Sequence, residues 1–228
     1  DLLFAGAKPE YDYKVKTYGH PKGVVQYTGY PRFDYLISKP KKQILLMPTW
    51  RMNLFYCPNV KEFKKTEYFK NWFALLNNSK LHQMLEKYDY TLCFYPHYEI
   101  QGFIEAFDVK HPNITICDFD HYDVQTLLIE SQLLVTDYSS IFFDFAYMEK
   151  PLIYFQFDYE DYRTYHFKEG YYSYEKHGFG SIKETADEVV KAIENYFNND
   201  FKVEAKYHKN KELFFPLYDH NNSARVYD

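Results

Sequence analysis

Short apolar runs that end in polar turns, with helix-forming stretches between them, constrain this chain more than any other feature. Ile44-Leu45-Leu46-Met47 and Leu133-Leu134-Val135 carry no polar face. A strand has that pattern when both faces of its sheet are covered. Further strands are expected at Val24–Tyr27, Thr91–Tyr95, Asn113–Cys117 and Pro151–Phe155, with a short apolar run at Leu2–Ala7. Helices are expected from Lys8 to about Tyr18, over Thr66–Leu76, Lys80–Lys87, Val124–Ser131, Ser139–Met148 and Lys183–Phe197, and around Glu204–Phe215. Strand and helix alternate in units of roughly 20–30 residues, which implies an α/β fold with a parallel sheet and helices on both faces. The best linker is Ser38-Lys39-Pro40-Lys41-Lys42.

Composition narrows the classes. The 228 residues suffice for one large domain or two small ones. No apolar run approaches the ~18 residues of a membrane span. A net charge of −5 argues against a nucleic-acid partner, although Tyr, Phe and Trp make up 21% of the chain. Those rings instead supply core and cleft wall. Cys57, Cys93 and Cys117 share no CxxC spacing and read as idle thiols in a reducing, cytoplasmic compartment.

In a parallel α/β sheet, ligands bind beyond the carboxyl ends of the strands, so the chemistry is sought where strands end. Leu133–Thr136 runs into Asp137-Tyr138-Ser139-Ser140 and then Ile141-Phe142-Phe143-Asp144. Two serines opening a helix can cap it, or can hold an anion with the backbone N–H groups there. Asp144 lies one helical turn beyond Ser140, placed to accept hydrogen bonds from hydroxyls. After the strand at Ile44, Pro48-Thr49-Trp50-Arg51 offers a stacking face and a forked cation for phosphate oxygens. The alternative is a surface arginine beside a half-buried tryptophan. Thr28-Gly29-Tyr30-Pro31-Arg32-Phe33-Asp34 presents Arg32 from a tight turn, the alternative being a local Arg32–Asp34 ion pair. His97 follows Tyr95-Pro96 at another strand end, where a histidine can protonate a leaving phosphate or simply bond a neighbour.

Other patterns carry less. Asp118-Phe119-Asp120 matches a DxD metal motif but is a common pair. Gly178-Phe179-Gly180 lacks the rest of a dinucleotide fingerprint. Ser139 stands in no Gly-x-Ser-x-Gly turn. No metal and no cofactor are called for.

In this order the motifs resemble the CDP-glycerol glycerophosphotransferase family, the teichoic-acid and capsule polymerases and primases. The resemblance rests on Thr28-Gly29-Tyr30-Pro31-Arg32, Pro48-Thr49-Trp50-Arg51, Thr136-Asp137-Tyr138-Ser139-Ser140 with Phe143-Asp144-Phe145, Lys150-Pro151, and Asp219 to Arg225. It implies a GT-B-type arrangement of two Rossmann-like domains, of which residues 39–228 are the donor-binding domain with its C-terminal helical segment. Residues 1–38 are then the tail end of an N-terminal acceptor-side domain. It further implies transfer of glycerol phosphate or ribitol phosphate from a CDP-alditol to a polymer hydroxyl, with release of CMP. By position, Ser139 and Ser140 hold the pyrophosphate, Arg32, Thr49, Trp50, Arg51 and Pro96 line the same pocket, Asp144 contacts the donor, and His97 serves the leaving phosphate. The acceptor is lipid-linked or polymeric in such a family, which implies peripheral association with the inner face of the cell membrane.

The chain also departs from that pattern. The family's His-Gly element, with the base for the acceptor hydroxyl, has no match before residue 28, and His20-Pro21 stands in another place. Tyr95 occupies a position where an arginine is usual, and Glu169-Gly170 stands where the family has Arg-Gly. Two alternatives therefore stay open: a GT-B hexosyltransferase using a UDP- or GDP-sugar, and a non-catalytic nucleotide-binding module.

Overall fold

The computed structural model describes residues 2–21, 23–166 and 170–228. Two parallel sheets are present among the described residues. β1 (Leu3–Ala5) pairs with β2 (Val25–Tyr27), and α1 (Lys8–Thr17) connects them. A six-stranded sheet follows, made of β3 (Gln43–Leu46), β4 (Thr91–Phe94), β5 (Ile114–Ile116), β6 (Leu133–Thr136), β7 (Leu152–Phe155) and β8 (Gly180–Lys183). Its spatial order is β5-β4-β3-β6-β7-β8, and every pairing is parallel. This is the doubly wound Rossmann order, with its switch point between β3 and β6.

The pleat divides the core into two layers. Ile44, Leu46, Leu92, Phe94, Leu133, Val135, Ile153 and Phe155 point to one face. There they meet α3 (Glu67–Leu76), α4 (Ser79–Tyr88) and α9 (Ala186–Asn198) around the fully buried Trp72. Leu45, Cys93, Leu134, Leu152 and Tyr154 point to the other face, toward α5 (Val124–Glu130), α6 (Ile141–Tyr147) and Phe33. Neighbouring residues in a strand thus serve opposite layers, which is why the central strands have no polar side.

The helices start where their capping residues are. The side chains of Thr66, Asn78 and Asp123 accept N–H groups of the first turns of α3, α4 and α5, and Thr185 with Glu188 forms a capping box on α9. Lys150 closes the other end of α5 by donating from Nζ to the carbonyls of Leu128, Ile129 and Ser131. Burial lowers the Lys150 pKa to about 7, and its Nζ donors satisfy helix-end carbonyls that would otherwise be orphaned.

Several elements differ from the sequence expectation. Residues 180–183 form the edge strand β8, for which no element was expected, and the helix expected from Lys183 starts at Ala186. A Cβ on Gly180 would lie 1.9 Å from the Leu152 carbonyl oxygen, so this glycine permits close strand pairing. Short helices α2 (Val60–Phe63), α7 (Tyr159–Tyr165), α8 (Tyr174–His177) and α11 (Asn222–Tyr227) were not foreseen, nor was the 3-10 helix Tyr98–Ala106. α10 (Ala205–Phe214) lies where expected. The expected Ser139–Met148 helix is only Ile141–Tyr147. No helix among the described residues is long and apolar enough to cross a membrane.

Candidate active site

The switch point is tied together by backbone and charge. Met47 N–H donates to Val135 O at 2.9 Å, and Thr136 Oγ1 donates to Met47 O at 2.7 Å. One residue further on, the Thr49 and Tyr138 N–H groups both donate to Asp137 Oδ1, at 2.8 Å and 2.6 Å. The loops after β3 and β6 are thereby held as one surface. Thr49 and Asp137 are both buried.

Arg51 completes this strap and is placed differently from expectation. Its side chain is 6% exposed, and its donors go to protein groups. Nη1 donates to Asp137 Oδ2 at 2.8 Å and to the Thr49 and Trp50 carbonyls, while Nε and Nη2 donate to the two oxygens of Asp158 at 2.7 Å and 3.1 Å. Burial works against the cation, but Asp137 and Asp158 overcome it and hold the guanidinium well above its ordinary range. Tyr68, Tyr138, Phe157 and Tyr162 surround it with ring faces, with its Cζ 4.9 Å from the Tyr138 ring centroid. Arg51 is therefore neither a surface arginine nor an open phosphate fork; it braces the loops after β3, β6 and β7.

Arg32 is the open cation. It does not pair with Asp34: its Nε donates to Asp144 Oδ1 at 2.9 Å, and the guanidinium lies over the Tyr30 ring at 4.6 Å. Its side chain remains 52% exposed, and that bond to Asp144 is its one hydrogen bond among the described residues. Neither terminal nitrogen has a hydrogen-bond partner among the described residues. Asp144 is buried, which raises its carboxyl, with Arg32 opposing the shift. Asp34 instead accepts the N–H groups of Asn222 and Ser223 at 2.8 Å and 2.7 Å, and the Asn222 side chain as well. It anchors the closing segment whose sequence was singled out. Ser140 is exposed and makes no cap bond, while Ser139 Oγ accepts only a long 3.5 Å bond from Ile141 N–H. The serines were expected as possible caps, and α6 scarcely uses them.

Arg32 and Ser140 share a pocket of about 330 Å3 with Glu10, Tyr30, Phe143 and Tyr171. A wider depression of about 680 Å3 opens past β7 and β8, lined by Gln156, Asp158, Ser173, Tyr174 and Lys176 among others. At the end of β4, buried Pro96 turns the chain and His97 stacks on Trp50, ring centroids 6.3 Å apart. His97 Nδ1 accepts the Glu99 N–H at 3.2 Å, so the proton of the neutral ring sits on Nε2. Burial lowers the His97 pKa, with Glu99 and Asp137 pulling it back.

The structure brings Arg32, Ser140 and Asp144 together, and Trp50 with His97. The Asp137–Ser140 turn touches both groups, Asp137 through Thr49 and Ser140 through the Arg32 pocket. Sequence reasoning missed Asp158 and His166 and gave Tyr138 no role of its own; the His166 and Trp50 rings meet edge to face with centroids 5.0 Å apart. Asp158 follows β7 directly, and that position after a strand was the available signal. Asp118 Oδ1 accepts the N–H groups of Asp120 and His121, so the DxD pair forms a local turn. Glu169 lies outside the described residues.

Comparison with known proteins places this geometry. The family model of CDP-glycerol:poly(glycerophosphate) glycerophosphotransferase matches residues 13–228. The minor teichoic acid biosynthesis protein GgaB of Bacillus subtilis (strain 168) is 38% identical over all of this chain, which covers 26% of GgaB. The teichoic acid poly(glycerol phosphate) polymerase of the same organism is 30% identical over 84% of the chain and 25% of its own length. The chain thus spans about a quarter of these relatives. In fold it is similar to the wall teichoic acid polymerase TagF, with TM-score 0.71, 23% identity and coverage of 100% of this chain and 55% of that one. A UDP-N-acetylglucosamine 2-epimerase from Listeria monocytogenes is more distant, with TM-score 0.58 at 15% identity over 100% of this chain and 58% of that one. The chain belongs to the CDP-glycerol:poly(glycerophosphate) glycerophosphotransferase family.

Proposed function

We propose that this chain is the donor-binding unit of an alditol-phosphate transferase. It takes CDP-glycerol or CDP-ribitol, and the acceptor is a lipid-linked or polymeric alditol phosphate at the inner face of the membrane. In the reaction an acceptor hydroxyl oxygen bonds to the phosphorus bearing the alditol, the bond from that phosphorus to the CMP oxygen breaks, and the hydroxyl proton is released. Such a transfer asks the protein for positioning and charge neutralisation more than for covalent chemistry. The single observation that supports this reading is the half-exposed Arg32, anchored by Asp144 at Nε and sharing a pocket with Ser140.

In this reading Arg32, Ser139 and Ser140 hold the pyrophosphate, and Asp144 acts by orienting Arg32. Thr49, Trp50 and Pro96 form the wall toward His97, whose Nε2–H donates to the leaving phosphate. Arg51 contributes by position, holding Thr49 and the Asp137 turn in place. Residues 39–228 form the donor domain, and residues 1–38, the tail of the acceptor-side domain, contribute Arg32 to the donor pocket.

Calorimetric titration with CDP-glycerol, CDP-ribitol, UDP-glucose and CMP tests this. The expected result is preference for a CDP-alditol, weakened at least tenfold by Arg32→Ala, a loss typical of a charged hydrogen bond to phosphate. Preferential binding of UDP-glucose would replace it with the hexosyltransferase reading.

A further inference from the structure

The Arg32 pocket has a second polar end that belongs to the β1–α1–β2 unit. Glu10, on α1, is 8% exposed and lines the pocket. Its Oε2 accepts the Gly6 N–H at 2.8 Å, its Oε1 accepts the Tyr30 hydroxyl at 2.6 Å, and Lys14 Nζ forms an ion pair with Oε1 at 2.8 Å while donating to the Phe4 carbonyl. A carboxylate oxygen has two acceptor positions, so Oε2, which takes one N–H, has one left. The Tyr30 hydroxyl, having donated its proton, keeps acceptor capacity. Gly6 cannot be larger, because a Cβ there would lie 2.1 Å from the Tyr30 ring, and this fixes the ring beside the carboxylate.

Tyr171 also lines the pocket. Its ring stacks on Phe143 at 6.3 Å and touches Tyr13 of α1 at 5.8 Å. Burial, with Glu10 and Tyr30 adding to it, holds its phenol protonated. The remaining walls are apolar, from Phe33, Phe143 and Phe215. The pocket therefore has a cationic end at Arg32 and Ser140 and a hydroxyl-pairing end at Glu10, Tyr30 and Tyr171, at about 330 Å3, the small end for ligand sites.

We propose that Glu10, Tyr30 and Tyr171 form a polyol subsite that reads the hydroxyls of the alditol whose phosphate lies on Arg32 and Ser140. This rests on the donor reading above and assigns donor selectivity to the β1–α1–β2 unit. A flexible polyol offers donors and acceptors at adjacent carbons, matching a carboxylate oxygen with a free acceptor position and two phenols. Loss of one partner leaves a buried group unpaired, which is the basis of discrimination in such a site.

Titration of CDP and CDP-glycerol into the chain and into Glu10→Gln and Tyr171→Phe tests the subsite, because CDP lacks the polyol. The chain is expected to prefer CDP-glycerol, and each variant to shrink that preference about fivefold or more while CDP affinity stays within about twofold. Should Glu10→Gln lose its fold by circular dichroism, Tyr171→Phe decides alone. Equal affinity of the unaltered chain for CDP and CDP-glycerol, an unchanged preference in folded variants, or equal weakening of both ligands would overturn the subsite and leave the donor reading standing. Binding of no cytidine nucleotide would overturn both.

Discussion

The N–H of Thr49 donates to Asp137 Oδ1 at 2.8 Å, joining two residues that lie 88 positions apart in sequence. This bond lies at the switch point of the sheet, where the strand order reverses and ligands of such folds bind. Asp137 can serve there only as a carboxylate accepting from three sides, and the ion pair with Arg51 makes that tolerable in a buried site.

Arg51→Met should therefore destabilise the chain by about 3–5 kcal/mol, because it strands two carboxylates, one of them wholly buried. Arg51→Lys should restore less than half of that, since one ammonium cannot serve Asp137, both oxygens of Asp158 and two carbonyls together. Urea unfolding followed by circular dichroism measures both. A loss under about 1 kcal/mol for Arg51→Met would mean the brace is unimportant.

Gly29 has φ +75°, and a Cβ there would lie 1.7 Å from Asn222 Oδ1. Asn222 is fully buried and bridges Asp34 to Arg225. Gly29→Ala should thus cost about 1–3 kcal/mol through backbone strain, with the clash adding to it. It should also expose α11 to proteolysis before the rest of the chain. Unchanged protease resistance at Asn222–Tyr227 would show that the turn does not secure the closing helix.

Asp34 supplies a pH signature. Burial is the largest single effect and raises its carboxyl, but the backbone and side-chain hydrogen bonds of Ser223 and Asn222 together prevail and bring it to about 2. The unfolded value is about 3.9, so the unfolded chain takes up the proton first as pH falls. The stabilisation is complete above about pH 4 and is lost progressively between about 4 and 2. Asp34→Asn should flatten this acid limb in thermal melts from pH 2 to 6. An identical slope in the variant would show that other carboxylates govern it.

Much of this architecture is legible in the sequence because β3, β6 and β7 are apolar on both faces and each ends in a polar turn. β8 is not legible: Gly180-Ser181-Ile182-Lys183 has one apolar residue in four, and its pairing depends on contact with the Leu152 carbonyl, which no local pattern encodes. The site divides in the same way. Its residue types and strand-end positions could be read, but partner choice could not. Arg32 stands two residues from Asp34 yet bonds Asp144, 112 positions away, and Arg51 pairs across 86 and 107. Such partners are set by the crossover topology. Glu10 is not legible because α1 is mostly polar and carries no apolar stripe to show which side faces inward.

His97 yields the last expectation. Its Nδ1 accepts the Glu99 N–H, and burial lowers its pKa below the ordinary value of about 6.5. At pH 7 the ring should therefore be neutral, with the proton on Nε2, a state that long-range proton–nitrogen spectra identify from the two ring-nitrogen shifts. A bound phosphate beside Nε2 favours the charged ring and should raise this pKa. By linkage, affinity for CMP then increases as pH falls through the lowered value, and His97→Gln removes that dependence. A proton on Nδ1, or CMP affinity with the same pH dependence in His97→Gln, would place His97 outside the phosphate site.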